Sequence, residues 1–258
     1  MSFKTLILER KTKIGAITLN RPERMNALDP IMREELQSVL GELAEDRQIR
    51  VVTITGAGKA FCAGGDIKSW EGITAPTGRD RVKKGSQIIK KIMEMEKPII
   101  ASVNGVAVGA GLHIALACDI IIAGEKARFQ ESFVNLGLIP DLGGFFNLSL
   151  RVGVPKAKEL MLTGRMVEAK EAESIGLVNR VVAQEKLTQE VESLAAMMAE
   201  GPARAYGMIK SALDLWPMSR QAYLELEANL QAIAWVSKDF TEGKQAFLER
   251  RKPTFSGE

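Results

Sequence analysis

The chain has little of what most catalytic centres are built from. It contains one histidine, His113, and two cysteines, Cys62 and Cys118, in 258 residues. Neither cysteine has metal-ligand spacing and no second histidine exists, so a His/Cys metal site is not expected. Two reduced cysteines fit a cytoplasmic protein. Charge of one sign is nearly absent: Lys+Arg 35 against Asp+Glu 32 leaves +3. That is too weak to argue for nucleic acid, although a local basic cluster could hold a phosphorylated ligand. No window approaches about 18 uninterrupted apolar residues, so no membrane span is expected. The opening "MSFKTLILERKTKIG" has a short apolar run closely flanked by charge, which is not a signal-peptide layout. Standard phosphate loops are missing too. "GAGKAF" lacks the spacing of G-x-x-x-x-G-K-[ST], and "GAGLHI" is not G-x-G-x-x-G. There is no low-complexity segment and no fixed-period repeat.

What is present is a globular composition, 46% hydrophobic and 26% charged, with length for one large domain or a main domain and a smaller one. Residues 3–9 and 13–19 read as a hairpin. Apolar Met32, Leu36, Val39, Leu40 and Leu43 have helical spacing within 30–44. "VVTIT" (51–55), "KPIIASV" (97–103) and "DIIIAG" (119–124) read as buried strands. Between the first two lies a polar segment, "EGITAPTGRD" (71–80), then a helix to about Met95. After about residue 150 helical patterns dominate, at 155–163, 186–199, 202–215, 219–236 and 239–250, with one strand-like run at 176–182. Strands alternating with helices imply an α/β core, 1–199. A helical region, 200–258, begins at "EGPARAYG", where Gly201 and Pro202 punctuate two helices.

Two glycine clusters, "GAGKAFCAGGD" and "NGVAVGAG", each stand between a buried strand and a helix. They serve as tight turns, or as backbone that approaches a ligand closely. Two such loops, one opening a helix, can aim two N–H groups at one oxygen and stabilise negative charge on it.

"LNRPERMNAL", "GAGKAFCAGGDIKSW", "KPIIASVNGVAVGAGLHIALACDIIIA", "ARFQESFVNLGLIPDLGG" and "FTEGKQAFLERRKPTF" occur in the order seen in the crotonase (enoyl-CoA hydratase/isomerase) superfamily. By these motifs the chain resembles that family over nearly its whole length. The wording is nearest to the epoxyphenylacetyl-CoA isomerase type. The resemblance implies a spiral of ββα units with a C-terminal helical trimerisation region, assembled as a homotrimer or dimer of trimers. It implies an acyl-CoA substrate, with CoA as part of that substrate and no metal or redox cofactor. The thioester oxygen would be held by the N–H groups of Gly65 and Ala110. CoA would be lined by Arg24, Met25, Ala63, Asp66, Ile67 and Lys68. Phe247 and Arg250 match positions that reach a neighbouring subunit's CoA; a solvated helix face is the other reading for Arg250.

The sequence departs from the hydratase pattern. The two positions where such hydratases carry catalytic glutamates hold His113 and Phe133, and Glu131 is two residues out of register. Asp141, in "GLIPDLGG", matches the carboxylate of relatives that move protons between carbons. On residue type alone Asp141 reads as a helix N-cap before "LGGFFNLSL"; the resemblance favours a proton shuttle. His113, one turn after Ala110, reads as a polar pocket-lining residue or a second base. "EGITAPTGRDRVKKG" is expected to cover the acyl pocket. Phe133, Phe145 and Phe146 suit either an apolar pocket or core packing. The expected activity is acyl-CoA isomerisation through a thioester enolate. The alternatives are an enoyl-CoA hydratase using Asp141 or Glu131, and a non-catalytic CoA- or RNA-binding scaffold.

Overall fold

The computed structural model describes residues 3–258; the first two positions of the expected core segment lie outside the described residues. Strands β1 (Leu6–Lys11) and β2 (Ile14–Leu19) form an antiparallel hairpin. β1 starts at Leu6 rather than at residue 3. The reason is Glu35, whose carboxylate accepts hydrogen bonds from the Lys4 N–H (2.7 Å), the Thr5 N–H (2.9 Å) and the Thr5 hydroxyl (2.6 Å). Glu35 belongs to helix α1 (Pro30–Glu45), which is capped by the Asp29 side chain accepting from the Met32 N–H at 2.8 Å. α1 buries the apolar stripe read from its spacing.

β2 continues into a six-stranded sheet of order β1-β2-β3-β5-β7-β10, with β3 (Val51–Gly56), β5 (Ile99–Val103), β7 (Ile120–Gly124) and β10 (Arg180–Val182) running parallel to β2. The apolar runs of these strands suit a sheet covered on both faces. Val51, Ile100 and Ile122 face Leu187, Val191, Ala195 and Ala199 of α6 (Leu187–Ala199); Val52, Ile54, Ile99 and Ile121 join the main core on the opposite side.

A second sheet was not legible in the sequence. It consists of β4 (Ala60–Cys62), β6 (Val106–Val108), β8 (Arg128–Gln130) and β9 (Met166–Glu168), each three residues long, in that order. Three residues are too few to display a period of two. A long strand in the first sheet, a short strand in the second and then a helix recur along the chain. The units are β3-β4-α2 (Ala75–Glu94), β5-β6-α3 (Ala110–Ala117) and β7-β8-α4 (Gly144–Thr163). This is a spiral of ββα units.

Two helices begin earlier than their sequence patterns suggested. The polar segment 71–80 is helical from Ala75, because Thr74 and Thr77 form a reciprocal capping box and Pro76 fits the first turn. α4 begins at Gly144, not at residue 155. Gly153 (φ 75°, ψ 155°) and Pro155 kink it, so the periodicity shows only beyond the kink.

After α5 (Ala169–Ser174) and α6, helices α7 (Ala203–Asp214), α8 (Arg220–Trp235) and α9 (Lys238–Glu249) complete the chain. Lys210 of α7 is buried and donates to Asp119 Oδ2 and to the Ile92 carbonyl, both at 2.9 Å. Arg50 donates to the Phe255 carbonyl (3.1 Å), which holds the C-terminal segment down. α8 has no buried residue, and it carries exposed Leu224, Ile233 and Trp235. Among the described residues no helix is long and apolar enough to cross a membrane.

Candidate active site

β4 and β6 are parallel neighbours, so the loops leaving their C-terminal ends lie side by side. Such strand ends are where open α/β architectures form binding crevices. The first loop is held by Asn26, fully buried in the left-handed region (φ 57°), whose side-chain amide donates to the carbonyls of Ala60 (2.8 Å) and Ala57 (3.0 Å). On the outer side of that loop Leu28 N–H donates to Gly64 O (2.7 Å) and Asp66 N–H donates to Leu28 O (3.1 Å). These two bonds bracket Gly65 and leave its own N–H unused. Gly64 has φ +92°, and a Cβ there would lie 2.7 Å from the Val108 carbonyl and 3.6 Å from the Ala110 nitrogen. Only glycine permits this approach of one loop to the other.

Ala110 opens α3, behind Gly109 at φ 51°, ψ −122°. The first N–H groups of a helix have no partner within it. Among the described residues, neither the Gly65 nor the Ala110 N–H donates to another protein atom. Both residues line one cavity of about 410 Å³. Its lining also includes Asp141, and Ile73, Gly78, Arg81 and Val82 of the expected covering segment.

Asp141 does not cap α4. The N-cap is Gly143, without a side-chain hydrogen bond, and the Gly144 N–H is taken by the Asp141 backbone carbonyl at 2.8 Å. The carboxyl is therefore free, and its Oδ1 is buried with no hydrogen-bond partner. Burial raises the Asp141 pKa above the ordinary 3.8; His113, Arg33 and Arg81 oppose that rise, and Glu131 adds to it.

The expectation that His113 faces the pocket is corrected. All of α3 is buried, and His113 is 0% exposed. Its Nε2 lies 2.8 Å from Glu131 Oε1, and its ring stacks on Phe133 at 5.2 Å. A Cβ on Gly144 would come within 2.2 Å of that ring. Phe133 faces the cavity, while His113 and Glu131 stand behind it outside the cavity lining. The Glu131 carboxylate is thus engaged by His113 and lies outside the cavity lining. Phe145 and Phe146 do not line this cavity either; both are exposed, and Phe146 borders a different cavity beside Lys210.

Of the residues expected to line CoA, Ala63 and Ile67 border the cavity. Ala63 N–H donates to the Met25 carbonyl (2.9 Å), which ties the exposed Arg24–Met25 turn to the loop after β4; Lys68 is exposed, one residue beyond Ile67. The Asp66 carboxylate pairs with Arg21 (3.2 Å) and accepts from the Lys68 N–H (3.3 Å). Phe247 is 83% exposed, and Arg250 sits at the end of α9; neither belongs to the cavity wall of its own chain.

Sequence reasoning missed Arg33 and Trp70. An arginine inside an amphipathic helix reads as exposed, yet Arg33 is only 9% exposed and lines the cavity. Nothing in the pattern of α1 signals this, because the arginine becomes buried only when α2 packs across it.

A family model described as enoyl-CoA hydratase/isomerase matches residues 9–258. The chain is 38% identical over 256 residues to a probable enoyl-CoA hydratase of Rhizobium meliloti, covering 99% of each. It is 36% identical over 249 residues to the 1,2-epoxyphenylacetyl-CoA isomerase of Escherichia coli, covering 95% of each. An enoyl-CoA hydratase from Bacillus anthracis superposes with a TM-score of 0.95 at 34% identity, covering 99% of this chain and 100% of that one. The chain belongs to the enoyl-CoA hydratase/isomerase family, the crotonase superfamily, whose members act on acyl-CoA substrates.

Proposed function

We propose that the chain is an acyl-CoA isomerase that works through a thioester enolate. The observation that carries this is the cavity's acid inventory. Among the described residues Asp141 is the one carboxylate on a wall that also carries two free backbone N–H groups. The thioester oxygen sits between Gly65 and Ala110. Ionised Asp141 removes a proton from an acyl carbon, and negative charge gathers on that oxygen. Two fixed donors stabilise the charge without reorganising. Protonated Asp141 then delivers the proton to another carbon. A carboxyl with a raised pKa is the stronger base for this step.

CoA enters as part of the substrate, along the rim formed by Arg24, Met25, Ala63, Ile67 and Lys68. The absence of any buried residue in α8, with Leu224, Ile233 and Trp235 all exposed, supports assembly into a trimer or a dimer of trimers. A neighbouring copy would then bring Phe247 and Arg250 to the CoA.

The second reading is hydration of a 2-enoyl-CoA, which the names of several relatives favour. It would require Asp141 to activate water alone, since Glu131 is paired behind Phe133. Mass spectrometry in heavy water separates the two. An enoyl-CoA that shifts its double bond with deuterium uptake supports isomerisation. Gain of the mass of water as the main reaction overturns it.

A further inference from the structure

Two guanidinium groups line the same cavity, and neither has a carboxylate partner. Arg10, Arg21, Arg165 and Arg251 all form ion pairs elsewhere in the chain. Arg33 and Arg81 form none among the described residues. Arg33 is nine-tenths buried, and its Nε has no hydrogen-bond partner. Its position is set by two glycines: a Cβ on Gly65 would lie 3.5 Å from Nη2, and one on Gly85 would lie 2.9 Å from Nη1. The guanidinium is thus wedged between the thioester-binding loop and α2. Arg81 leans over the Trp70 ring (5.9 Å to its centroid) and donates to Ser69 Oγ at 2.8 Å.

Burying an unpaired cation is costly, so such groups normally meet an anion. Asp141 is near enough to feel both charges but makes no ion pair with either arginine, so their hydrogen-bonding faces stay open. The remaining wall is largely apolar, with Ile67, Ile73, Val82, Leu138 and Ile139. On the other side of the two guanidiniums is a second opening of about 600 Å³, which carries Glu34, Asp80 and Lys84. Both openings carry one more cation than carboxylate, and the active-site cavity differs in its apolar wall, which suits an acyl chain reaching from the thioester to the arginines.

We propose that the acyl group of the substrate carries a carboxylate of its own, bound by Arg33 with Arg81 as the second contact. Resting on the acyl-CoA reading of the site, this names the substrate class as thioesters of dicarboxylic acids. The CoA phosphates are a poorer match for Arg33. They are bulky and hydrated, whereas Arg33 lies inward between α1 and α2, where Gly85 also abuts the buried Leu142. A planar carboxylate matches the guanidinium fork in two hydrogen bonds.

Isothermal titration with two saturated thioesters, glutaryl-CoA and pentanoyl-CoA, tests the proposal without depending on turnover. The protein should bind glutaryl-CoA at least about tenfold more tightly. Arg33→Met should weaken glutaryl-CoA at least about tenfold more than pentanoyl-CoA, and Arg33→Lys should retain part of the preference. Equal or tighter binding of pentanoyl-CoA by the unmutated protein overturns the proposal. So does an equal loss for both ligands in Arg33→Met, which would place the arginine on CoA itself. Because neither ligand has a double bond to move, these outcomes stand apart from success or failure of the isomerase reading.

Discussion

His113 Nε2 lies 2.8 Å from Glu131 Oε1, with both side chains sealed behind Phe133. This pair supports the cavity wall; it does not open into it. Glu131→Ala removes one half of a buried pair and should cost about 3–5 kcal/mol of stability. Urea unfolding measures the loss. A variant with unchanged stability and abolished turnover would instead place Glu131 in the chemistry.

Asp141→Asn should lower isomerisation by about 10²–10⁴-fold while leaving thioester affinity nearly intact. It should also alter stability in a pH-dependent way. The folded-state pKa of Asp141 is raised, chiefly by burial. A raised carboxyl pKa favours folding below the unfolded value, and that contribution is lost as pH rises through the folded value. Asn at this position should therefore be the more stable form at neutral pH, with the advantage shrinking in acid. Thermal melts at neutral pH and near pH 3 would show it, and a variant less stable at neutral pH would contradict it.

Ala110→Pro removes one of the two donor N–H groups at the first position of α3, where helices accept proline. The rate should fall by about 10²–10³-fold. Circular dichroism serves as the control for the fold. Unchanged turnover in a folded variant would exclude Ala110 as a donor.

Lys210→Met leaves the half-buried Asp119 without its cation and breaks the tie between α7 and the core. A loss of about 1–3 kcal/mol is expected on denaturant unfolding. Loss of activity beyond the unfolded fraction would be surprising, because Lys210 does not line the active-site cavity.

Long elements with a clear period were legible in the sequence. The stripe of α1 and the apolar runs of β3, β5 and β7 each involve enough residues to reveal their partners. β4, β6, β8 and β9 were not legible, since each is held by its neighbours and not by its own pattern. At the site, Gly65, Ala110 and Asp141 could be found because motif order fixes backbone position. The orientation of His113 could not: which side of α3 faces the cavity depends on Phe133 and Gly144, which come from distant turns of the spiral. Arg33 was hidden for the same reason.

Gly64 brings the loop after β4 against the loop after β6, and the two strands are hydrogen-bonded neighbours. Adjacent strands are spaced about 4.8 Å apart wherever they pair. The separation of the two donor N–H groups is therefore gauged by a sheet and not by loop conformation. The acyl side of the cavity has no such gauge, being bounded by α2 and by the segment leading into α4. Insertions or substitutions there can reshape the cavity while the end that carries the Gly65 and Ala110 N–H groups keeps its dimensions.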